Sequence, residues 1–398
     1  MDTEQKSIGI GNKKREKIPL SIIMFGLFLV FVFMCNDRYL NITDYTIFLI
    51  IACFFCALEW FISDKLHFKI EHFCSFFLIA YLLVSLYQID ITANSGIYLS
   101  YLLFLVFFIL ITIKKIKKQE IRFIINSYIA SATIISLSII IFRNEFMGWT
   151  GTFRYTIRYS NQEYADPNFI AAYIYIAALF CIYKLLLVPK KSNKIIYSIL
   201  AIVITTATLF TGSRAAMIGL VIGCIPLVLK GKKSLLISVI SLSSIGFFMF
   251  MFLPEGLKAR MFYNTYIDDS NITRMSLWMN GIEAFVKKPM IGYGPQYPLT
   301  IINEHVGVSR AIHNTFIAFL VQFGLLGIVP LIIIIINPLR NLLNRSMFPL
   351  LGLYASWFFT LFMVEANVSI IFWSTITIIT LIANYKKENP NSSILDII

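Results

Sequence analysis

Residues 314–336 read NTFIAFLVQFGLLGIVPLIIIII, 23 positions without a charged side chain. At about 1.5 Å of rise per residue, a helix of that length spans a hydrocarbon core of about 30 Å. A bilayer interior offers backbone N–H and C=O groups no water, so a spanning segment must satisfy them itself as a helix or in a closed barrel. Barrel strands alternate apolar and polar positions over about ten residues, and this run is apolar throughout. Working outward, the same character recurs at Pro19–Met34, Tyr45–Phe61, His72–Tyr87, Ile97–Ile113, Ile121–Ile141, Asn168–Val188, Ile195–Phe210, Ala215–Leu229 and Ser234–Phe252, and after the quoted run at Met347–Val364 and Val368–Tyr385. The expected fold class is therefore all-α: a polytopic membrane bundle of about twelve transmembrane helices with a large extracytoplasmic loop.

Composition agrees. Of the 398 residues, 58% are hydrophobic and 14% charged, more apolar surface than a soluble domain can hide. The net charge of +13 would suggest nucleic acid in a soluble protein. Here the surplus lies in short loops, as the positive-inside rule expects, and no nucleic-acid partner follows from it. With the amino terminus cytoplasmic, the inner loops hold 19 Lys and 4 Arg and the outer loops 8 Arg and 3 Lys. Lys184, His67 and His72 fall on the inner side. The first apolar segment follows Lys13, Lys14, Arg15 and Lys17 without a clear small-residue cleavage site, so it reads as an uncleaved span. Five of the six cysteines lie within apolar segments and Cys35 lies outside them. Cys53 and Cys56 form a CxxC inside a helix, which reads as small buried hydrophobes and not as a redox or metal site.

The chain divides into a cytoplasmic tail (1–18), amino-terminal spans with a first long outer loop (19–165), a central core (166–336) that includes the outer loop 253–312, and carboxyl-terminal spans with a cytoplasmic tail (337–398). No internal repeat, low-complexity stretch or separate soluble domain stands out. The outer loops Phe142–Pro167 and Leu253–Ile312 are long enough to carry function. In the second, Thr273 suits the cap of a helix from Arg274 to about Lys288, with Met275, Trp278, Ile282, Phe285 and Val286 on one face and Pro289 ending it. Such a helix would lie along the membrane surface.

Candidate chemistry gathers on the outer side. Arg214 follows Thr211-Gly212-Ser213 in a tight turn and opens a span, where facing lipid would cost a few kcal/mol; an interface anchor is the plain alternative. Arg274 at the start of the loop helix would add its guanidinium to free backbone N–H groups, a cradle for phosphate; a solvated loop arginine is as good a reading of spacing alone. His313, beside Asn314 at the start of a span, is the best-placed base, and nearby arginines would keep it neutral. His305 is a loop residue without special context. Arg143, Arg154 and Arg158, followed by Asp166-Pro167-Asn168, form a possible second patch for an anionic ligand. Gly292-Tyr293-Gly294-Pro295 lacks the Lys-Ser/Thr of a nucleotide-binding loop, which excludes that kind of ATP site. No cluster has metal-ligand spacing, and the adjacent side chains of Asp268-Asp269 splay apart. No cofactor is expected.

These residues together resemble the O-antigen ligase and polymerase superfamily. The resemblance is carried by Thr211-Gly212-Ser213-Arg214-Ala215-Ala216, by Arg274-x-x-x-Trp278 leading through Pro289 to Gly292-Tyr293-Gly294-Pro295, by His313-Asn314-Thr315-Phe316 with Gly324-Leu325-Leu326-Gly327, and by Asp166-Pro167-Asn168. It covers roughly Asp166 to Gly327; the earlier spans match only in hydropathy. The resemblance implies a metal-independent, inverting glycosyl transfer at the outer face of a bacterial plasma membrane, with a saccharide on undecaprenyl pyrophosphate as donor. Carried over, Arg214 and Arg274 would hold the pyrophosphate and His313 would activate the acceptor hydroxyl. Arg143, Arg154, Arg158, Asn314, Asp166 and Asn168 would contribute to substrate binding.

The expected function is polymerisation of capsular, O-antigen or exopolysaccharide repeat units. The alternatives are a ligase that passes finished chains to lipid A core, a non-enzymatic transporter of lipid-linked sugars, and a scaffold of a polysaccharide assembly complex. Expected partners are the lipid-linked donor and acceptor, the bilayer, and a chain-length regulator and flippase of the same pathway.

Overall fold

A computed structural model describes residues 17–32, 44–62, 66–85, 95–147, 153–158, 164–187, 191–229, 251, 253–262, 269–295, 311–343, 347–367, 369–392 and 397. The elements are α1 (Leu20–Phe31), α2 (Asp44–Ile62), α3 (Ile70–Ser85), α4 (Ser95–Thr112), α5 (Lys118–Phe142), β1 (Asn144–Met147), β2 (Phe153–Thr156), α6 (Pro167–Leu187), α7 (Lys191–Phe210), α8 (Arg214–Leu229), α9 (Glu255–Phe262), α10 (Asp269–Lys287), α11 (Thr315–Leu342), α12 (Phe348–Leu361) and α13 (Ile370–Glu388). Eleven of the twelve apolar segments coincide with helices; the remaining one, Ser234–Phe252, lies almost wholly outside the described residues. Among the described residues four helices are long and apolar enough to cross a membrane: Lys118–Phe142, Pro167–Leu186, Asn193–Phe210 and Thr315–Leu342. The chain is a helical protein of membrane type.

Helix α6 is the hub. From Ile170 to Cys181 every residue is essentially inaccessible, the mark of a helix surrounded by others. Its neighbours include α5, α7, α8 and α12, and α12 also packs against α8. The buried tyrosine hydroxyls are all engaged, as buried polar groups must be. Tyr175 OH pairs with Thr360 Oγ1 at 2.7 Å, Tyr183 OH donates to Gly223 O at 2.8 Å, and Tyr128 OH donates to Tyr173 O at 2.9 Å.

The structure corrects several expectations. The loop after α5 folds into a two-stranded antiparallel sheet, Asn144 opposite Thr156 and Met147 opposite Phe153, so helix is not the only regular structure. Its aromatic and β-branched residues favour strands once clear of the bundle. The quoted run does not end at Ile336. It continues to Leu342 because the Asn337 side chain, which would be costly if orphaned, donates to the buried Glu71 carboxylate.

Nor is that run one continuous helix. Gly324 has φ 59° and ψ −160°, a conformation essentially reserved for glycine. The break frees backbone groups on both sides, and the Pro289–Pro295 turn takes them up. Tyr293 N–H donates to Val321 O (2.9 Å) and Gly294 N–H to Gln322 O (2.8 Å), while Leu325 N–H donates to Pro289 O (2.8 Å) and Leu326 N–H to Met290 O (3.1 Å). Gly292 and Gly294, and Gly324 far from them in sequence, thus contribute to one interlock. Irregular backbone at such a place is tolerable only when protein groups satisfy it.

The loop helix α10 begins at Asp269, so Thr273 lies inside it and does not cap it. Its contact with α11 is made largely by other residues. Leu277 and Ala284 pack with Ile312, Ala318 and Val321 of α11 and its lead-in, and Trp278 and Phe285 flank them. Gly281 makes the approach close: a Cβ there would stand 2.7 Å from Ile317. Small residues therefore choose the packed face, while Met275, Ile282 and Val286 stay exposed. Helix α10 lies against α11 over that stretch.

On the Lys-rich side, His72 is fully buried. Its Nδ1 accepts from Lys69 N–H at 3.0 Å and its Nε2 lies 3.1 Å from Thr112 Oγ1. Lys184 is likewise buried, with its ammonium on Asn126 Oδ1 at 2.9 Å. Both were placed on the inner side by the sequence; hydrogen-bond partners on neighbouring helices let the bundle take them in. The five described cysteines are free and buried, and Cys35 lies outside the described residues.

Candidate functional site

The site grows from the turn between α7 and α8. Helix α7 ends on Gly212, whose φ of 61° closes the last turn in the left-handed conformation usual at helix ends. Gly212 N–H donates to Leu209 O at 2.9 Å, and Thr211 Oγ1 donates to Thr208 O at 2.6 Å. Ser213 O accepts the first bond of the next helix, from Met217 N–H at 3.2 Å, so α8 starts on Arg214. The first turn of α8 holds no acidic residue. A cation at the positive end of a helix dipole is unfavourable by about 0.3–1 kcal/mol. Arginine and dipole together make that corner attractive to an anion.

Arg154 of β2 supports this turn from behind. It is only 5% exposed. Its Nε–H donates to Thr211 O at 2.7 Å and its Nη2 to Asn168 Oδ1 at 2.8 Å. Asn168 in turn opens α6, its N–H on Asp166 Oδ1 at 2.7 Å. One guanidinium thereby ties the hairpin, the start of α6 and the α7–α8 turn together. Arg143 and Arg158 differ from it: both are exposed, Arg143 lying 5.8 Å from the centre of the Phe210 ring and Arg158 5.4 Å from that of Tyr164.

Arg274 comes to the same place from α10. Burial pushes its pKa below the usual arginine value; the Asp166 carboxylate opposes this, and Arg214 adds to the lowering. Arg274 therefore feels the charge of both Asp166 and Arg214. The guanidinium stays protonated all the same. Because α10 is already helical at Asp269, Arg274 stands beyond its first turn, and the free N–H groups of that helix end do not flank it as the sequence suggested.

His313 enters through Ile312. Leu277 and Trp278, one turn beyond Arg274 on α10, belong to the cluster that buries Ile312. His313 itself has φ 55°, a left-handed conformation that costs a side-chain-bearing residue about 1–2 kcal/mol. Next to it, Asn314 caps α11, its Oδ1 accepting from Phe316 N–H at 3.0 Å and Ile317 N–H at 3.1 Å. A residue the sequence reading missed lies on the other side. Glu365, in the connection between α12 and α13, accepts Ile312 N–H through Oε2 at 2.9 Å. Its signal was a carboxylate alone between two apolar spans, on the side assigned to His313. Gln322 completes the surroundings: its Oε1 accepts from Tyr101 OH and Asn367 Nδ2, both at 2.6 Å, and its Nε2 donates to Pro295 O at 2.9 Å.

The structure thus brings Arg214, Arg274 and Asp166 together, with Arg154 and Asn168 behind them, and joins them to His313 through α10. The side chain of Arg260, and the whole of Arg38, Asp268, His305 and Arg310, lie outside the described residues. Among the described residues no group of three His, Cys, Asp or Glu could hold a metal ion.

Residues 199–332 match the O-antigen ligase family. The matched stretch, about a third of the chain, holds Arg214, Arg274 and His313, and also both sides of the Gly292–Gly324 interlock. It supports the resemblance to O-antigen ligases and polymerases drawn from the motifs. Arg154, Asp166, Asn168 and Glu365 lie outside it. An uncharacterized protein of Haemophilus influenzae is 25% identical over 179 residues, covering 38% of this chain and 44% of its own length. The chain spans under half the length of that relative.

Proposed function

We propose that this protein polymerises undecaprenyl-pyrophosphate-linked repeat units of a bacterial surface polysaccharide, at the outer face of the plasma membrane, by inverting glycosyl transfer. The observation that carries the proposal is Arg274 within reach of the charges of Asp166 and Arg214, at the place where Arg154 ties the α7–α8 turn to the start of α6, and joined through α10 to His313 on its strained elbow. Two cations beside one carboxylate leave a net positive corner, complementary to a pyrophosphate. Neutral His313 takes the proton from the acceptor hydroxyl as its oxygen attacks the anomeric carbon from the face opposite the pyrophosphate. The bond from that carbon to the phosphate oxygen breaks, and its electron pair leaves with undecaprenyl pyrophosphate. Arg214 and Arg274 stabilise the charge that develops there, in the place a divalent cation takes in other phosphate chemistry. His313 then loses its proton to water. In this reading Asp166 orients the arginines, and the chain crosses the membrane twelve times with both termini in the cytoplasm, which carries the site to the outer side.

The family match, described as an O-antigen ligase, favours a second reading: transfer of finished chains to lipid A core or another acceptor by the same three residues. The length of lipid-linked glycans in cells lacking the protein separates the two. Single repeat units accumulating on the carrier are expected of a polymerase; long chains on the carrier, with none on the final acceptor, would make it a ligase. Restoration of the pathway by the His313→Ala variant would remove His313 as the base. Restoration by Arg214→Lys, which keeps the charge and loses the fork, would reduce Arg214 to an interface anchor.

A further inference from the structure

The chain around His313 is gripped by a segment outside the family match. Glu365 accepts Ile312 N–H through Oε2 at 2.9 Å. Two residues beyond His313, Thr315 Oγ1 donates to Val364 O at 2.7 Å and accepts Ala366 N–H at 3.0 Å. Residues 364–366 therefore hold the positions on either side of His313 in three hydrogen bonds. Asn314 is fixed as well, since it caps α11. His313 sits between these anchors in the left-handed region, at φ 55°. A non-glycine residue keeps such a conformation only where its surroundings impose it. The Thr315 contacts and the Asn314 cap define where α11 begins, and before His313 the Ile312 side chain is packed against Leu277 and Trp278. The bond from Ile312 to Glu365 adds a hold on the backbone of that residue.

We propose that Glu365 is a positioning residue for His313, which rests on the reading of His313 as the base. Its role is that of a hydrogen-bond acceptor at a fixed place: it holds Ile312 so that the imidazole projects from the elbow toward the acceptor hydroxyl. A glutamine carries an acceptor oxygen at the same reach without the charge. An aspartate carries the charge but is one methylene shorter.

The test compares kcat and KM of the full-length protein and its Glu365→Gln, Glu365→Asp and Glu365→Ala variants. The substrate is the lipid-linked repeat unit extracted from cells that lack the protein. Misplacing a reacting group by about 1 Å costs up to about 100-fold in rate. The expected result is a fall in kcat of about 10- to 100-fold for Glu365→Ala and Glu365→Asp, with KM for the donor changed by less than about twofold, and retention within about threefold for Glu365→Gln. Adding Glu365→Ala to His313→Ala is expected to cause no further loss, because a positioning residue has nothing left to position. Loss in Glu365→Gln with retention in Glu365→Asp would overturn the proposal in favour of a role for the charge. Full activity in Glu365→Ala beside an inactive His313→Ala would overturn it while sparing the base assignment. Activity in His313→Ala would overturn both. Should Glu365→Ala fail to accumulate in the membrane, the Gln and Asp variants decide between the same outcomes.

Discussion

Substituting Gly324 by alanine should open the interlock between α11 and the Pro289–Pro295 turn. Two costs combine. Gly324 occupies a region of backbone space essentially closed to other residues, at about 1–3 kcal/mol. A Cβ there would also stand 2.4 Å from Met290 O, 2.5 Å from Met290 C and 2.7 Å from Ile291 N. All three are backbone atoms and cannot swing aside as a side chain does, so the turn itself must move. That motion loosens four hydrogen bonds, between 2.8 and 3.1 Å long, each contributing about 1 kcal/mol net. The expected loss is roughly 3–6 kcal/mol of local stability. Amide hydrogen exchange reads it directly, because Tyr293, Gly294, Leu325 and Leu326 donate those four bonds. At a factor of ten per 1.4 kcal/mol, peptides covering 289–295 and 321–327 should exchange at least about 100-fold faster in purified Gly324→Ala. Gly292→Ala should act from the opposite side, since φ is 65° there and its Cβ would lie 2.6 Å from the Gln322 carbonyl. Gly96→Ala is the control, because its Cβ would meet nothing within 4 Å. Exchange in Gly324→Ala equal to that of the unaltered protein would refute the interlock.

Two further substitutions test the supports of the site. Arg154→Lys replaces a two-pronged donor by a single ammonium, which cannot reach both Thr211 O and Asn168 Oδ1. Losing one charge-assisted bond at a buried position is expected to cost roughly 1.5–3 kcal/mol, visible as a lower thermal midpoint in detergent; an unchanged midpoint would mean that the clasp is not formed. Asn314→Ala removes the cap on Phe316 and Ile317, worth about 1 kcal/mol, so those amides should exchange about fivefold faster. Asn314→Asp retains an acceptor and should restore protection; equal exchange in all three proteins would contradict the cap.

Hydropathy located the helices well because, in apolar segments this long, the backbone has few other ways to bond. What escaped it is instructive. The break at Gly324 is invisible in a run that is apolar on both sides; its local traces were Gln322, polar within the run, and glycines at 324 and 327. Their meaning depended on the second pair at 292 and 294, which only folding brings alongside. The face of α10 that meets α11 was not read for a related reason. Large apolar side chains drew attention to Met275, Ile282 and Val286, whereas Gly281 and Ala284 decide where two helices can approach. Arg154 and Arg158, four residues apart, looked equivalent as loop cations, yet the first is buried in the fold and the second lies exposed on a tyrosine. Charge type was legible; which cation turns inward was not.

Helix α10 gives the interlock its bearing on the site. Near one end it carries Arg274 into the company of Asp166 and Arg214. Along its middle, Leu277 and Trp278 pack on Ile312, the residue before His313. Its far end leads through Pro289 into the hydrogen bonds at the Gly324 break. The helix is thus a strut whose lengthwise position is set at the break and whose lateral position is set at Ile312. Glu365 holds the backbone of the same Ile312. A shift at Gly324 is therefore transmitted along α10, changing the separation of Arg274 from His313 without touching either. In the proposed reaction those two groups act on opposite ends of one displacement, at the leaving pyrophosphate and at the incoming hydroxyl, so their spacing matters as much as their chemistry.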